Sequence, residues 1–559
     1  MLRPKAAYLL LLVLVVVTIV SDLRPVQCAD ASVGEGESFA TIPTEEQFRS
    51  KYGQSSIKPA DLGVFGELNT GDKLGNLISK LNQSIGSIGS IGSIGSIGSI
   101  EPGLTDLPSI QEKLNQILGA TLNASSYENL NTRFEFAPYA LTDHSNDHLI
   151  RTPAEGLIAA AGFESETHQV VSTDGYITHV IRIINPLADK SKLKQPPVAL
   201  FHGGLNDPTA FILSSTVQHH PEKWPRAVDV DGPITSWNRS LGFVLANNGY
   251  DVWLVARRGC NRFNQGNKYI NKPYSLYEPN VTLMDIEAAL EYWNYTIDDI
   301  AVKEVPKQLD RIMELTGSPK ISVIAFSLGA TSTLVMLSEL PEYAEKIYNY
   351  VCITPTLAEY NSNNFDRLLY RLGVQLDYTT GTLLVTETLL SPQVRQIVYA
   401  LSESTTLRYA LFRSAYNLVL GASALFNSLI EANAVAHIFW PVGFKHFQHT
   451  AQILSSNTFK KYDYGPEGNL AVYGSPEAPE YNLSRLKPGD NWFILTMENG
   501  PFSSPGVIDS LVRRIGKAPY EYLFVRGYNH ADVVLGVDCD IKINLPILEF
   551  FEHFLHESK

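Results

Sequence analysis

Ile321-Ser322-Val323-Ile324-Ala325-Phe326-Ser327-Leu328-Gly329-Ala330-Thr331 is an apolar strand that runs into a turn of small residues, with a serine at its tip, and then into a helix. That is the form of a nucleophile elbow, G-x-S-x-G, in which the serine sits on a strained strand-to-helix turn. Strand and helix pass each other only if the residues two before and two after the serine are nearly free of side chain. Here those residues are Ala325 and Gly329. Alanine is tolerable there but weakens the pattern, because A-x-S-x-G arises by chance in many chains. By itself the pentapeptide also reads as a helix start that Ser327 caps, so the surrounding chain has to decide.

Outward from the elbow, strands and helices alternate. Stretches 169–171 and 176–184 flank Thr173-Asp174-Gly175 and predict a hairpin. A short buried strand over 198–201 ends in His202-Gly203-Gly204, followed by a helix at 241–248, a strand at 250–255 and helices at 284–293 and 307–315. After the elbow come a helix to residue 340 and a strand at 350–353. From about 359 to 459 the alternation gives way to helix-favouring, aromatic-rich sequence, expected as an insertion above the sheet. It resumes with strands at 492–497 and 520–525 and helices at 506–515 and 543–555. Strands alternating with helices of this length predict an α/β fold, a mostly parallel sheet with helices on both faces.

A serine hydroxyl is a weak nucleophile at neutral pH and needs a base within hydrogen-bond reach, together with donors aimed at the developing oxyanion. In elbow folds the chain order is serine, acid, histidine. Tyr528-Asn529-His530-Ala531-Asp532 follows the last predicted strand, where the base belongs, so His530 is the candidate base. The other histidines, His446, His449, His553 and His556, are expected in the insertion or on surface helix faces. The N–H groups of Gly204 and Leu328 are the candidate oxyanion donors.

The chain opens with Arg3 and Lys5 before an apolar run from residue 6 to 17, and Val26-Gln27-Cys28 precedes Ala29, the pattern of a secretory signal peptide. An uncleaved anchor is the lesser alternative, because Asp22 and Arg24 end the apolar stretch near the lower limit for spanning a bilayer. With Cys28 removed, three cysteines remain, enough for one disulfide at most within the chain. Six sequons, at Asn82, Asn123, Asn238, Asn280, Asn294 and Asn482, fit an exported glycoprotein. The net charge of −14 and the absence of a basic tract argue against nucleic acid as a partner. Histidines and cysteines lack paired ligand spacing, so neither metal nor cofactor is expected. Residues 29–145 differ from the rest: Ser-Ile-Gly repeats five times from Ser84 to Gly98. Glycine every third residue is collagen's spacing, but the repeat is short and lacks proline. A flexible tether between two short helical patterns fits better, and its isoleucines leave room for self-association. The expected organisation is therefore a signal peptide at 1–28, an extension at 29–145, a first core part at 146–358, a cap or lid insertion at 359–459 and a second core part at 460–559.

From about residue 153 to 555 the chain resembles the acid lipases, the gastric and lysosomal type of α/β-hydrolase. The resemblance rests on Val171-Ser172-Thr173-Asp174-Gly175-Tyr176, Phe201-His202-Gly203, Leu245-Ala246-Asn247-Asn248-Gly249-Tyr250-Asp251-Val252-Trp253-Leu254, and Arg258-Gly259. Leu337-Ser338-Glu339-Leu340-Pro341-Glu342-Tyr343, Tyr462-Asp463-Tyr464-Gly465, Val472-Tyr473-Gly474 and Tyr528-Asn529-His530 add to it. It implies an α/β-hydrolase fold, a cap-and-lid role for the insertion, and hydrolysis of triacylglycerols, cholesteryl esters or similar lipids. Secretion is expected, with the lysosomal lumen as the alternative. Two departures stand out. The family's G-H-S-Q-G is Ala325-Phe326-Ser327-Leu328-Gly329 here, and its catalytic aspartate, aligned through Ser503-Ser504-Pro505, falls on Gly500. The acid orients the histidine and stabilises its imidazolium, and removing its charge in a serine protease lowers the rate about 10⁴-fold. Glu498, two residues upstream, is the first candidate replacement and Glu359, after the next strand, the second. The sequence thus leaves two readings: a weakened lipase or esterase using Ser327 and His530, or an inactive lipase relative that carries lipid.

Overall fold

The computed structural model describes residues 153–214, 240–260, 283–357, 377–389, 437, 440–456, 458–486, 491–500, 502, 505–536 and 538–557. Eight strands form one sheet: β1 (Glu164–Val171), β2 (Ile177–Ile184), β3 (Lys194–Phe201), β4 (Tyr250–Val255), β5 (Ile321–Phe326), β6 (Ile347–Ile353), β7 (Trp492–Met497) and β8 (Glu521–Val525). Their spatial order is β1-β2-β4-β3-β5-β6-β7-β8. The hairpin β1–β2 and its junction with β4 are antiparallel, and every later pairing is parallel. This is the α/β-hydrolase fold.

Burial follows this layout. β4, β5 and β7 are buried at every position, as expected of central strands covered by helices on both faces. β1, at the edge, is mostly exposed or half-buried. The hairpin turn closes at Gly175, whose φ of 91° favours a residue without Cβ. Helices α1 (Ala154–Ala160), α2 (Leu241–Asn247), α3 (Leu283–Trp293), α4 (Val305–Thr316), α5 (Leu328–Glu339), α6 (Phe444–Ser456), α7 (Pro505–Ile515) and α8 (Leu545–Glu557) surround the sheet. α4 is amphipathic, with Leu309 and Ile312 buried, and it ends at Gly317 in the left-handed conformation.

β4 and β5 lie on opposite sides of β3, so the crossovers diverge there. In open α/β sheets ligands bind at such a switch point, beyond the carboxyl ends of the strands. Phe201 pairs with Ala325, and Met497 with Val525. The register therefore brings the loops after β3, β5, β7 and β8 to one edge.

A buried ion network braces the same edge. Arg258, fully buried, donates through Nε to Glu304 Oε2 at 2.6 Å and through its backbone N–H to Glu304 Oε1 at 3.0 Å. Its two terminal nitrogens each reach Asp174 at 2.9 Å. The guanidinium lies 3.9 Å from the centre of the Tyr176 ring. Asp174-Gly175-Tyr176 and Arg258-Gly259, motifs far apart in the chain, are two halves of this one structure.

Of the expected insertion, the structure describes 377–389, His437, 440–456 and 458–459. His446 and His449 fall in that range on α6, but they are buried rather than solvent-facing. Cys260, Cys352 and Cys539 are buried and no disulfide joins them, so the one bridge that the count allowed is not formed among the described residues. Asn294 and Asn482 are exposed, whereas Asn82, Asn123, Asn238, Asn280, Glu359 and residues 29–145 lie outside the described residues.

Candidate active site

Ser327 sits between β5 and α5 with φ 57° and ψ −124°, a conformation that costs a residue bearing a Cβ about 1–3 kcal/mol. The surroundings hold it there. Its N–H donates to Ile353 O at 2.9 Å, and its carbonyl accepts from Thr331 N at 2.9 Å. The close pass that the motif demands is visible at Gly329, where a Cβ would lie 2.6 Å from the carbonyl oxygens of both Phe201 and His202. Ala325, by contrast, is still within the β5 ladder between Phe201 and Cys352, where a methyl is accommodated. The elbow needs its second glycine and not its first.

The turn after β3 lies against the elbow. A Cβ on Gly203 would meet Ser327 Cβ at 2.9 Å, and one on Gly204 would meet Leu328 Cδ1 at 2.5 Å. The turn that carries Gly204 is thereby packed against Ser327 and Leu328, the neighbourhood in which oxyanion donors are needed. His202 anchors this turn: its Nε2 accepts from Arg257 N at 3.4 Å, which leaves Nδ1–H to donate to Gly203 O at 2.9 Å.

His530 Nε2 lies 2.7 Å from Ser327 Oγ. The two residues, distant in sequence, meet because β5 and β8 end at the same edge of the sheet. An Asx turn fixes the loop, with Asn529 Oδ1 accepting from Ala531 N at 2.9 Å and Asp532 N at 3.1 Å. The imidazole packs against Phe326, with ring centres 5.1 Å apart and nearly parallel, and edge-on against Phe502 at 4.7 Å. Burial in this aromatic slot lowers its pKa to about 3. Phe326 stands where the family has histidine. Phe502 was not picked out from the sequence, because an aromatic in a loop carries no periodic signal.

His530 Nδ1 is buried and has no hydrogen-bond partner among the described residues. Glu498 does not fill that place: it is exposed at the end of β7 and accepts the N–H of Gly527 at 2.8 Å, closing the turn after β8. Gly500 leaves room, since a Cβ there meets only Met497 O at 3.5 Å and Met497 Cβ at 3.7 Å. With no acceptor at Nδ1 among the described residues, none of them fixes the tautomer that leaves Nε2 free to accept the serine proton.

A mostly parallel sheet, with a strained serine elbow and a histidine on the loop after the last strand, gives this chain the α/β-hydrolase fold. Residues 154–215 match the family described as "Partial alpha/beta-hydrolase lipase region". Lipase 1 of Drosophila melanogaster is 26% identical over 68% of this chain and 75% of that protein. Gastric triacylglycerol lipase of Bos taurus is 26% identical over 68% of this chain and 87% of its own. Among solved structures, naproxen esterase from Bacillus subtilis superposes with a TM-score of 0.34 and 15% identity, over 71% of this chain and 94% of that one. The family match and the relatives make the chain similar to the acid lipase type of α/β-hydrolase, the resemblance that its motifs carried.

Proposed function

We propose that the protein hydrolyses carboxylic esters of lipids with a serine–histidine dyad, at a rate reduced by the missing acid. The observation that carries this reading is the 2.7 Å contact between Ser327 Oγ and His530 Nε2 at an elbow still held in its strained form. Ser327 Oγ attacks the ester carbonyl while its proton passes to Nε2. The oxyanion takes hydrogen bonds from the N–H groups of Gly204 and Leu328. The proton then moves from Nε2 to the departing alcohol, and water, activated by the same nitrogen, releases the fatty acid from Ser327. The acyl-enzyme cycle balances without metal or cofactor. Secretion or delivery to a lysosome accompanies this reading, supported by the N-terminal signal pattern. Among the described residues, no helix is long and apolar enough to cross a membrane.

The test is labelling and turnover together. A fluorophosphonate probe is expected to modify Ser327, and a p-nitrophenyl ester to be hydrolysed by wild type and not by Ser327→Ala. If the folded wild type shows neither, the unpartnered Nδ1 favours the second reading, a lipid carrier with a silent elbow.

The pH profile gives an independent check. A base works only while it is neutral, and His530, held down at about 3, stays neutral at every pH above that value. Turnover is therefore expected to show no acid limb between pH 4 and 8, whereas a histidine of ordinary pKa near 6.5 would lose most of its activity by pH 5. A fall centred near 6 would show that the imidazole is better solvated than its packing indicates.

A further inference from the structure

We infer that Arg257 forms a binding site for the anionic group of a lipid, a carboxylate or a phosphate, at the same edge of the sheet as Ser327. The residue follows β4, and its backbone N–H reaches the His202 imidazole that anchors the oxyanion turn. Its side chain is 7% exposed, and both Nε and Nη1 are buried without a hydrogen-bond partner among the described residues. A buried guanidinium is normally paired, because desolvating an unmatched charge is costly.

The neighbouring carboxylates do not supply the pair. Glu304 gives both oxygens to Arg258. Asp207 engages Thr209 through Oδ1, while its Oδ2 lies 4.0 Å from His437 Nδ1. His446, 1% exposed, also has both ring nitrogens unpartnered among the described residues. Burial first, and then the charges of Arg257 and its neighbours, keep that imidazole neutral, so it can donate one N–H without adding charge. Nearby carboxylates offset the charge of Arg257, but the unused donors of its guanidinium and of the His446 ring are the complement of an oxyacid's oxygens, which a guanidinium takes as a fork.

Position adds a length. β4 is two strands from β5, so Arg257 lies roughly 10 Å from the elbow by strand spacing. An anion held there belongs to a lipid whose other end can reach Ser327. The assignment rests on the reading of this edge of the sheet as a lipid site, but not on turnover.

The experiment is displacement of the neutral dye Nile red from the full-length Ser327→Ala protein, which separates binding from catalysis. Oleate is expected to displace the dye at a concentration at least ten-fold below that of oleyl alcohol, its neutral counterpart. Adding Arg257→Ser should bring the two within two-fold, and Arg257→Lys should keep part of the preference, since it retains charge without the fork. Lysophosphatidate run beside oleate tells phosphate from carboxylate, whichever binds more tightly. Equal displacement by oleate and oleyl alcohol would overturn the assignment. So would a lower melting temperature for Arg257→Ser with its oleate preference intact, since that is the signature of a purely structural arginine. If Arg257→Ser does not fold, the oleate–alcohol comparison and the Arg257→Lys variant still decide. Loss of ester turnover with the oleate preference intact would count against the proposed reaction alone.

Discussion

Replacing Gly500 with aspartate should raise kcat/KM on a short-chain ester by about 10²–10⁴-fold, the reverse of the loss seen when a triad's acid is neutralised. The backbone already accepts the change: Gly500 does not have a positive φ, and its Cβ position meets only ordinary contacts with Met497. Its neighbours on both sides touch the histidine loop. Asn499 N donates to Tyr528 O at 2.9 Å, and the Phe502 ring packs on His530. A carboxylate inserted between them would accept from Nδ1–H, fix the productive tautomer and stabilise the imidazolium. It would also raise the His530 pKa from about 3, because an adjacent negative charge favours the protonated form. The variant should therefore gain activity near neutral pH and acquire an acid limb that the parent lacks. Steady-state rates from pH 4 to 8 measure both effects. A gain without the new limb would locate the benefit elsewhere.

The second large effect concerns stability. Arg258→Met should cost about 3–5 kcal/mol in a denaturant titration, because it leaves the Glu304 carboxylate buried without its partner. Arg258→Met combined with Glu304→Leu should cost less than the single change, since the stranded charge is then gone. The sign with pH also follows. Burial already pushes the Glu304 pKa up against the pull of Arg258, and removing the arginine leaves burial less opposed. A carboxyl whose folded pKa exceeds its unfolded value binds more protons when folded, so stability falls as pH rises between the two. The Arg258→Met protein should be firmer at pH 4 than at pH 7, and the opposite trend would count against this account.

The architecture was largely legible because its central strands are short, mostly apolar runs. The segments expected at 250–255 and 492–497 are strands with those limits, and the helix expected at 284–293 starts one residue earlier. The segment expected at 198–201 extends back to Lys194, over polar residues and two prolines that hide an edge of the ladder. Of the site, Ser327 and His530 were readable from chain order, and their contact is consistent with that order. The fate of the acid was readable only in part. Gly500 announced a vacancy, but Glu498 depends on which backbone N–H it meets, and pattern holds no record of that. Arg257 gave no signal, because an arginine beside Arg258 reads as one more charge until burial separates a paired guanidinium from an unpaired one.

The three buried, unbridged thiols have a practical meaning. Burial pushes Cys260 and Cys352 up to about 12, so both stay protonated and inert toward oxidants and exchange partners. With no cross-link among the described residues to form or to lose, reductants should leave the folded core unchanged. The stability of the described core against reductants therefore rests on packing rather than on redox poise.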